Sequence, residues 1–113
     1  MPIPHVHDVA GWNTLMKDKV NGPKVITFAK TSHNEDLLKF LTLMRDNKKG
    51  LNEYNLFIKS GAKYELNIDS HLHEQFKAIA DQGAQANWSH APWADVILVV
   101  IDQFNHNVAD KIH

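Results

Sequence analysis

Tyr54 to Ser89, YNLFIKSGAKYELNIDSHLHEQFKAIADQGAQANWS, reads as an apolar strand, a glycine break, a helix with a defined start and stop, and a second short strand with a polar tip. Leu56, Phe57 and Ile58 are consecutive apolar residues bounded by Ser60-Gly61, the pattern of a strand covered by helices on both faces. Asp69-Ser70 supplies a helix cap, and Leu72, Phe76, Ile79 and Ala80 recur at the spacing of one buried face. Gly83 stands where a left-handed helix stop is wanted. Strand, helix and return strand together predict a βαβ unit.

The flanking segments extend this pattern. MPIPHVHD has two prolines and no periodicity, so it reads as an extended arm. Asp8 can cap a helix with Val9, Trp12, Leu15 and Met16 inside, ended by Asn21-Gly22-Pro23. KVITFAK then reads as a buried strand, and Ser32-His33-Asn34-Glu35 fits a capping box that opens a helix with Leu37, Leu38, Phe40, Leu41, Leu43 and Met44 inside. ADVILVVID, apolar from Val96 to Ile101 and mostly β-branched, is expected to be the central strand, with Leu98 deep in the sheet. The tail from Asn105 can form a short helix with Val108 and Ile112 on one side.

A chain of 113 residues is of single-domain size. Twelve basic and 13 acidic residues give a formal charge of −1, which offers no field to draw the chain onto nucleic acid or an anionic membrane. The longest apolar run falls far short of the about 20 residues that cross a bilayer, and the N-terminus lacks a basic region followed by an apolar one, so a soluble, cytoplasmic protein is expected. The absence of cysteine excludes a disulfide framework, a thiol nucleophile and a thiolate metal site.

An apolar strand ending in a glycine turn, followed by a helix closing with FKAIADQGAQ, resembles the DsrE/DsrF-like (YchN-like) sulfur-relay family over about Lys24 to Ser89. That resemblance implies a small α/β fold and a homo-oligomer. Active members carry a cysteine near the position of Ser89, which this chain lacks. HVHDVAGWNTLMKD followed by KVITFAKTSHNED is similar to the start of a thioredoxin, with His33 and Asp36 in place of the two redox cysteines.

In open α/β sheets ligands bind beyond the carboxyl ends of the strands. That rule gathers Ser32 and His33, Ser60 and Gly61, Ser89 and His90, and His106 as candidate ligand-binding residues. Ser32-His33 at a helix start could meet an anion. His5 and His7 could share an ion on an extended arm, whereas His71 and His73 on a helix lie about 200° apart and do not converge; neither pair predicts a metal site. Ser89, His90 and Asp102 have the residue types of a hydrolytic triad without the glycines of its strained turn.

The sequence therefore predicts one domain over residues 1–113, a three-layer α/β/α, Rossmann-like fold with a mainly parallel sheet of about four strands. Its expected role is non-catalytic, without a cofactor, binding a partner subunit or a small ligand or anion at the strand ends. Self-association is expected through a sheet edge and the aromatic NWSHAPW loop. The alternatives are a small enzyme using His33, His90 or His106 as general base, or a redox-inactive thioredoxin-like binding module.

Overall fold

A computed structural model describes residues 3–112, and every regular element among them is helical. In chain order these are α1 (Val9–Lys17), α2 (Asn21–Thr31), α3 (Glu35–Arg45), α4 (Leu51–Glu53) running straight into a π-helical turn (Tyr54–Ile58), α5 (Ser70–Ala80) and α6 (Trp93–Asn107). Short 3₁₀ turns follow at Gly83–Gln85, Trp88–His90 and Ala109–Lys111. The expected α/β sandwich is overturned: no strand exists among the described residues, so neither the DsrE-like nor the thioredoxin-like sheet is present.

The reason lies in which side chains are buried. In α6, Trp93, Val96, Val100, Ile101 and Phe104 are buried at three- and four-residue intervals, while Leu98 is 60% exposed. A run of β-branched residues has pulled the reading toward a strand, but tertiary packing sets the outcome and strand propensity is a weak preference. Leu98 is accordingly no core residue. Likewise Tyr54, Phe57 and Ile58 are buried one helical turn apart and Leu56 points outward, so YNLFI is a turn of helix. KVITFAK lies inside α2, with Gly22, Val25 and Ala29 inward and Ile26 43% exposed.

Asn21-Gly22-Pro23 begins a helix where the sequence suggested an end. The first-turn amides of a helix lack intrahelical partners, so proline costs nothing there. The Asp18 carboxylate accepts from the amides of Asn21 at 2.8 Å and Val20 at 2.9 Å, and these bonds hold its pKa below the ordinary carboxylate value. Gly22 allows α1 and α2 to meet closely: a Cβ there would sit 2.4 Å from the Met16 carbonyl oxygen.

Other boundaries follow the sequence. Asp8 caps α1 through the Gly11 amide at 2.7 Å, and Asp69 caps α5 through the Leu72 amide at 2.9 Å. The core joins Trp12, Leu15, Val25, Leu37, Phe40, Leu41, Phe57, Phe76, Val96, Val100 and Phe104. Helix α3 packs on α1, α2 and α6, and α5 packs on the π turn. The arm, from Ile3, is non-helical as expected and buries Ile3 and Val6. The side chain of Asn105, the one buried polar residue among those described, accepts from the Val6 amide at 3.0 Å and donates to the Val6 carbonyl at 2.9 Å. It completes the backbone bonding of the arm as a neighbouring strand would.

Candidate functional site

Ser32 and His33 form the turn between α2 and α3. The expected capping box is absent: Ser32 closes α2 instead, its hydroxyl donating to the Phe28 carbonyl at 2.7 Å and accepting from the Asn34 amide side chain at 2.8 Å. Asn34 stands at the N-cap of α3 without a side-chain cap bond, and its Nδ2 donates to the Ser32 hydroxyl. His33 has φ 61, and the Asn34 amide reaches back to the Ala29 carbonyl at 2.9 Å. This is a left-handed helix stop, a conformation ordinarily taken by glycine. Asn47 ends α3 in the same manner, with φ 58 and the Lys48 amide on the Leu43 carbonyl at 2.8 Å.

The loop after the π turn folds back on it. The Tyr64 amide donates to the Leu56 carbonyl at 2.9 Å and the Leu66 amide to the Phe57 carbonyl at 2.8 Å, with Leu66 buried. Gly61, at φ 82, lets the chain reverse and donates its amide to the Glu65 carboxylate at 2.8 Å. These bonds carry Tyr64 onto Phe57, ring centroids 5.8 Å apart, and Phe57 in turn meets Phe40 edge to face at 5.4 Å. An exposed loop is thereby anchored to the core through three aromatic rings.

Around Tyr64 two grooves adjoin. A polar one of about 290 Å³ is lined by His33, Glu35, Asp36, Lys63, Tyr64 and Glu65. An apolar one of about 350 Å³ is lined by Leu38, Lys39, Thr42, Leu43, Leu56, Phe57 and Tyr64. The Lys39 ammonium donates to the Tyr64 hydroxyl at 3.0 Å and lies 4.2 Å from the ring centroid; Lys63 lies 5.2 Å from it. The two cations, Lys39 first, lower the phenol pKa, and the phenol in turn raises that of Lys39. Among the described residues neither lysine forms an ion pair with a carboxylate.

Of the candidates gathered by the strand-end rule, the fold brings His33 together with the Gly61–Glu65 turn, and Ser32 and Ser60 flank them in sequence. It leaves the others apart. Ser89 and His90 sit in the 3₁₀ turn before α6, where the Asn87 side chain binds the Ser89 amide at 3.2 Å and faces His90 at 3.4 Å. No triad is built with Asp102, which lies on α6 beside His106 at 3.4 Å. His106, near the end of α6, approaches His5 of the arm, ring centroids 6.4 Å apart, and Asp102 raises its pKa through its backbone carbonyl. The strand-end cleft does not exist, since there are no strands to end.

Sequence reasoning missed Lys39, Lys63 and Tyr64. Lys63-Tyr64 was legible as a basic-aromatic pair, but Lys39 joins it only because the loop folds back over α3. No helix is long and apolar enough to cross a membrane among the described residues. No protein-family model matches the chain, and neither a curated protein nor a solved structure gives a significant match.

Proposed function

We propose that this chain is a non-catalytic helical domain that binds a partner protein through the surface formed by the α2–α3 turn and the loop after the π turn. The observation that carries the reading is His33, a non-glycine residue held at φ 61 with its imidazole exposed on the rim of a groove. A strained backbone kept at a surface groove points to a use for the side chain it presents. Beside it, Leu38, Leu43 and Leu56 offer apolar contact area, Tyr64 an amphipathic centre, and Lys39, Lys63, Glu35 and Glu65 a charged rim. An apolar, aromatic centre within a polar rim is the make-up of a protein interface.

A free anion or small ligand fits less well, because Glu35 and Asp36 already occupy the positive end of α3 and both grooves are shallow. The enzyme alternative needs a histidine enclosed with a partner, whereas His33, His90 and His106 are exposed and lie on three separate segments. A sulfur-relay role is not retained, since the fold that suggested it is absent.

Self-association is the second reading, favoured by Leu98 standing 60% exposed in the middle of α6. The NWSHAPW loop no longer supports it: Trp93 is 3% exposed, and Trp88 packs on Tyr54 at 5.3 Å. Photo-crosslinking residues placed at Tyr64, at Leu98 and at the exposed Gln85 separate the readings. A protein trapped from Tyr64 and absent from Gln85 is expected. Trapping of a second copy from Leu98 alone selects the second reading, and identical adducts from all three positions refute the first.

A further inference from the structure

We infer that this chain associates head to tail, the outer face of α6 in one copy seating in the Tyr64 groove of another. The inference rests on the Tyr64 surface being an interface, and it names the partner as a second copy of this chain.

Helix α6 turns one stripe away from the core. Asp95, Leu98 and Asp102 recur at intervals of three and four residues and are all exposed, Leu98 by 60%. An aliphatic side chain thus stands between two carboxylates, each about one helical turn away. Asp102 lies 3.4 Å from the His106 ring nitrogen, whereas Asp95 forms no ion pair among the described residues.

The Tyr64 surface has the complementary make-up. Leu38, Leu43, Leu56 and Phe57 line a groove of about 350 Å³. The Thr42 hydroxyl in it is spent on the Leu38 carbonyl at 2.8 Å, so the side-chain polar groups left to meet an occupant are the Lys39 ammonium and the Tyr64 phenol. Lys39 lies 4.2 Å and Lys63 5.2 Å from the Tyr64 ring centroid, two cations gathered on one ring with no carboxylate paired to either among the described residues. Glu35, Asp36 and Glu65 line the adjoining polar groove, and Glu65 is engaged by the Gly61 amide at 2.8 Å. Those carboxylates repel an acidic segment from the polar groove and direct it to the apolar one.

Leu98 of one copy therefore fills the apolar groove of the next, and Asp95, about 4.5 Å along the helix axis, meets Lys39 and Lys63. Within one copy the contact is not made: α3 and α6 pack together through their buried faces, and Leu98 lies outside the lining of the groove. Two different patches pair, so the association is heterologous and either continues into chains or closes into a ring.

The test is sedimentation equilibrium of the full chain and of Leu56→Glu and Leu98→Glu, alone and mixed, with denaturation midpoints to confirm that each is folded. Both substitutions fall at exposed positions, and each disables one half of the contact. The parent's average mass should rise with concentration past that of a dimer, with a dissociation constant on the order of 100 μM, and the association should weaken in high salt. Each variant alone should be monomeric. Their equal mixture should form a one-to-one pair that grows no further, because it retains one intact face and one intact groove. Asp95→Lys should associate at least tenfold more weakly than the parent. A parent that stays monomeric at about 500 μM overturns the inference and leaves the Tyr64 surface to a different protein, which crosslinking from Tyr64 reveals. Association lost in Leu98→Glu but untouched by Leu56→Glu overturns both this inference and the Tyr64 reading, since α6 then pairs with itself. A mixture that stays monomeric, or Asp95→Lys associating as the parent does, also overturns the head-to-tail contact.

Discussion

Asn105 on α6 and Val6 on the arm exchange two hydrogen bonds, at 3.0 and 2.9 Å, across 99 positions of sequence. Replacing Asn105 by Leu leaves the buried amide and carbonyl of Val6 without partners, at a cost of about 1–3 kcal/mol. The Asn105→Leu variant should show a lower denaturation midpoint and fast exchange at Val6. An unchanged midpoint would mean that the arm does not depend on this clamp.

His33→Gly should stabilise the fold by up to about 1 kcal/mol, because glycine takes the left-handed conformation without the Cβ clash. The gain is reduced by the freedom glycine adds to the unfolded chain. Equilibrium denaturation checks the sign: a loss of stability would show that the imidazole itself supports the turn.

Gly22→Ala should destabilise by about 1–3 kcal/mol, since the new methyl would lie 2.4 Å from the Met16 carbonyl oxygen and the two helices must move apart. A midpoint within error of the parent would contradict the close approach of α1 and α2.

Two contacts near the end of α6, His106 with Asp102 and His5 with Asp110, should make stability respond to pH in both directions. Asp102 raises the pKa of His106, so the stability from that contact is full below the ordinary histidine value and is lost as pH rises through the raised one. His5 lowers the pKa of Asp110, so that contribution is present above the ordinary carboxylate value and is lost as pH falls through the lowered one. Both act together between about pH 4 and 6.5. The denaturation midpoint should therefore fall as pH rises above the ordinary histidine value of about 6.5, and His106→Gln should flatten that fall.

Much of the helical frame was legible. Asp8 and Asp69 act through local backbone geometry, which sequence spacing reports directly, and α1, α3 and α5 lie where their apolar spacing put them; Gly83 has a positive φ of 64 but opens the 3₁₀ turn beyond Asp81, the residue that caps α5. Of the four expected strands, the short return strand at the end of the Tyr54–Ser89 stretch is a 3₁₀ turn at Trp88–His90, and the other three were misread for a shared reason. Val25-Ile26, Leu56-Phe57-Ile58 and Val96–Ile101 are runs of apolar residues in which outward positions are also apolar: Ile26, Leu56 and Leu98. A helix whose exposed face carries such residues loses the polar interruptions that reveal its period, and β-branching then suggests a strand. The expected strand-end cleft is absent with the sheet, and His33 lies near the Gly61–Glu65 turn because turns between helices gather polar residues as strand ends do.

Leu98 and Val100 separate the two folds energetically. Leu98→Ala, at a position 60% exposed, should change stability by no more than about 0.5 kcal/mol, whereas Phe104→Ala, at a fully buried position, should cost about 3–5 kcal/mol. Val100→Ala should also be clearly destabilising. In a buried central strand Leu98 would be as sensitive as its neighbours.

The functional claim is tested most directly by the affinity of the purified partner trapped at Tyr64. Leu56→Glu combined with Lys39→Glu, both on the proposed surface, should weaken binding at least tenfold while leaving the far-UV helical spectrum and denaturation midpoint close to the parent's. Gln85→Glu should bind as the parent does. Parent-like affinity in the Leu56→Glu, Lys39→Glu variant, with its fold intact, would contradict the account.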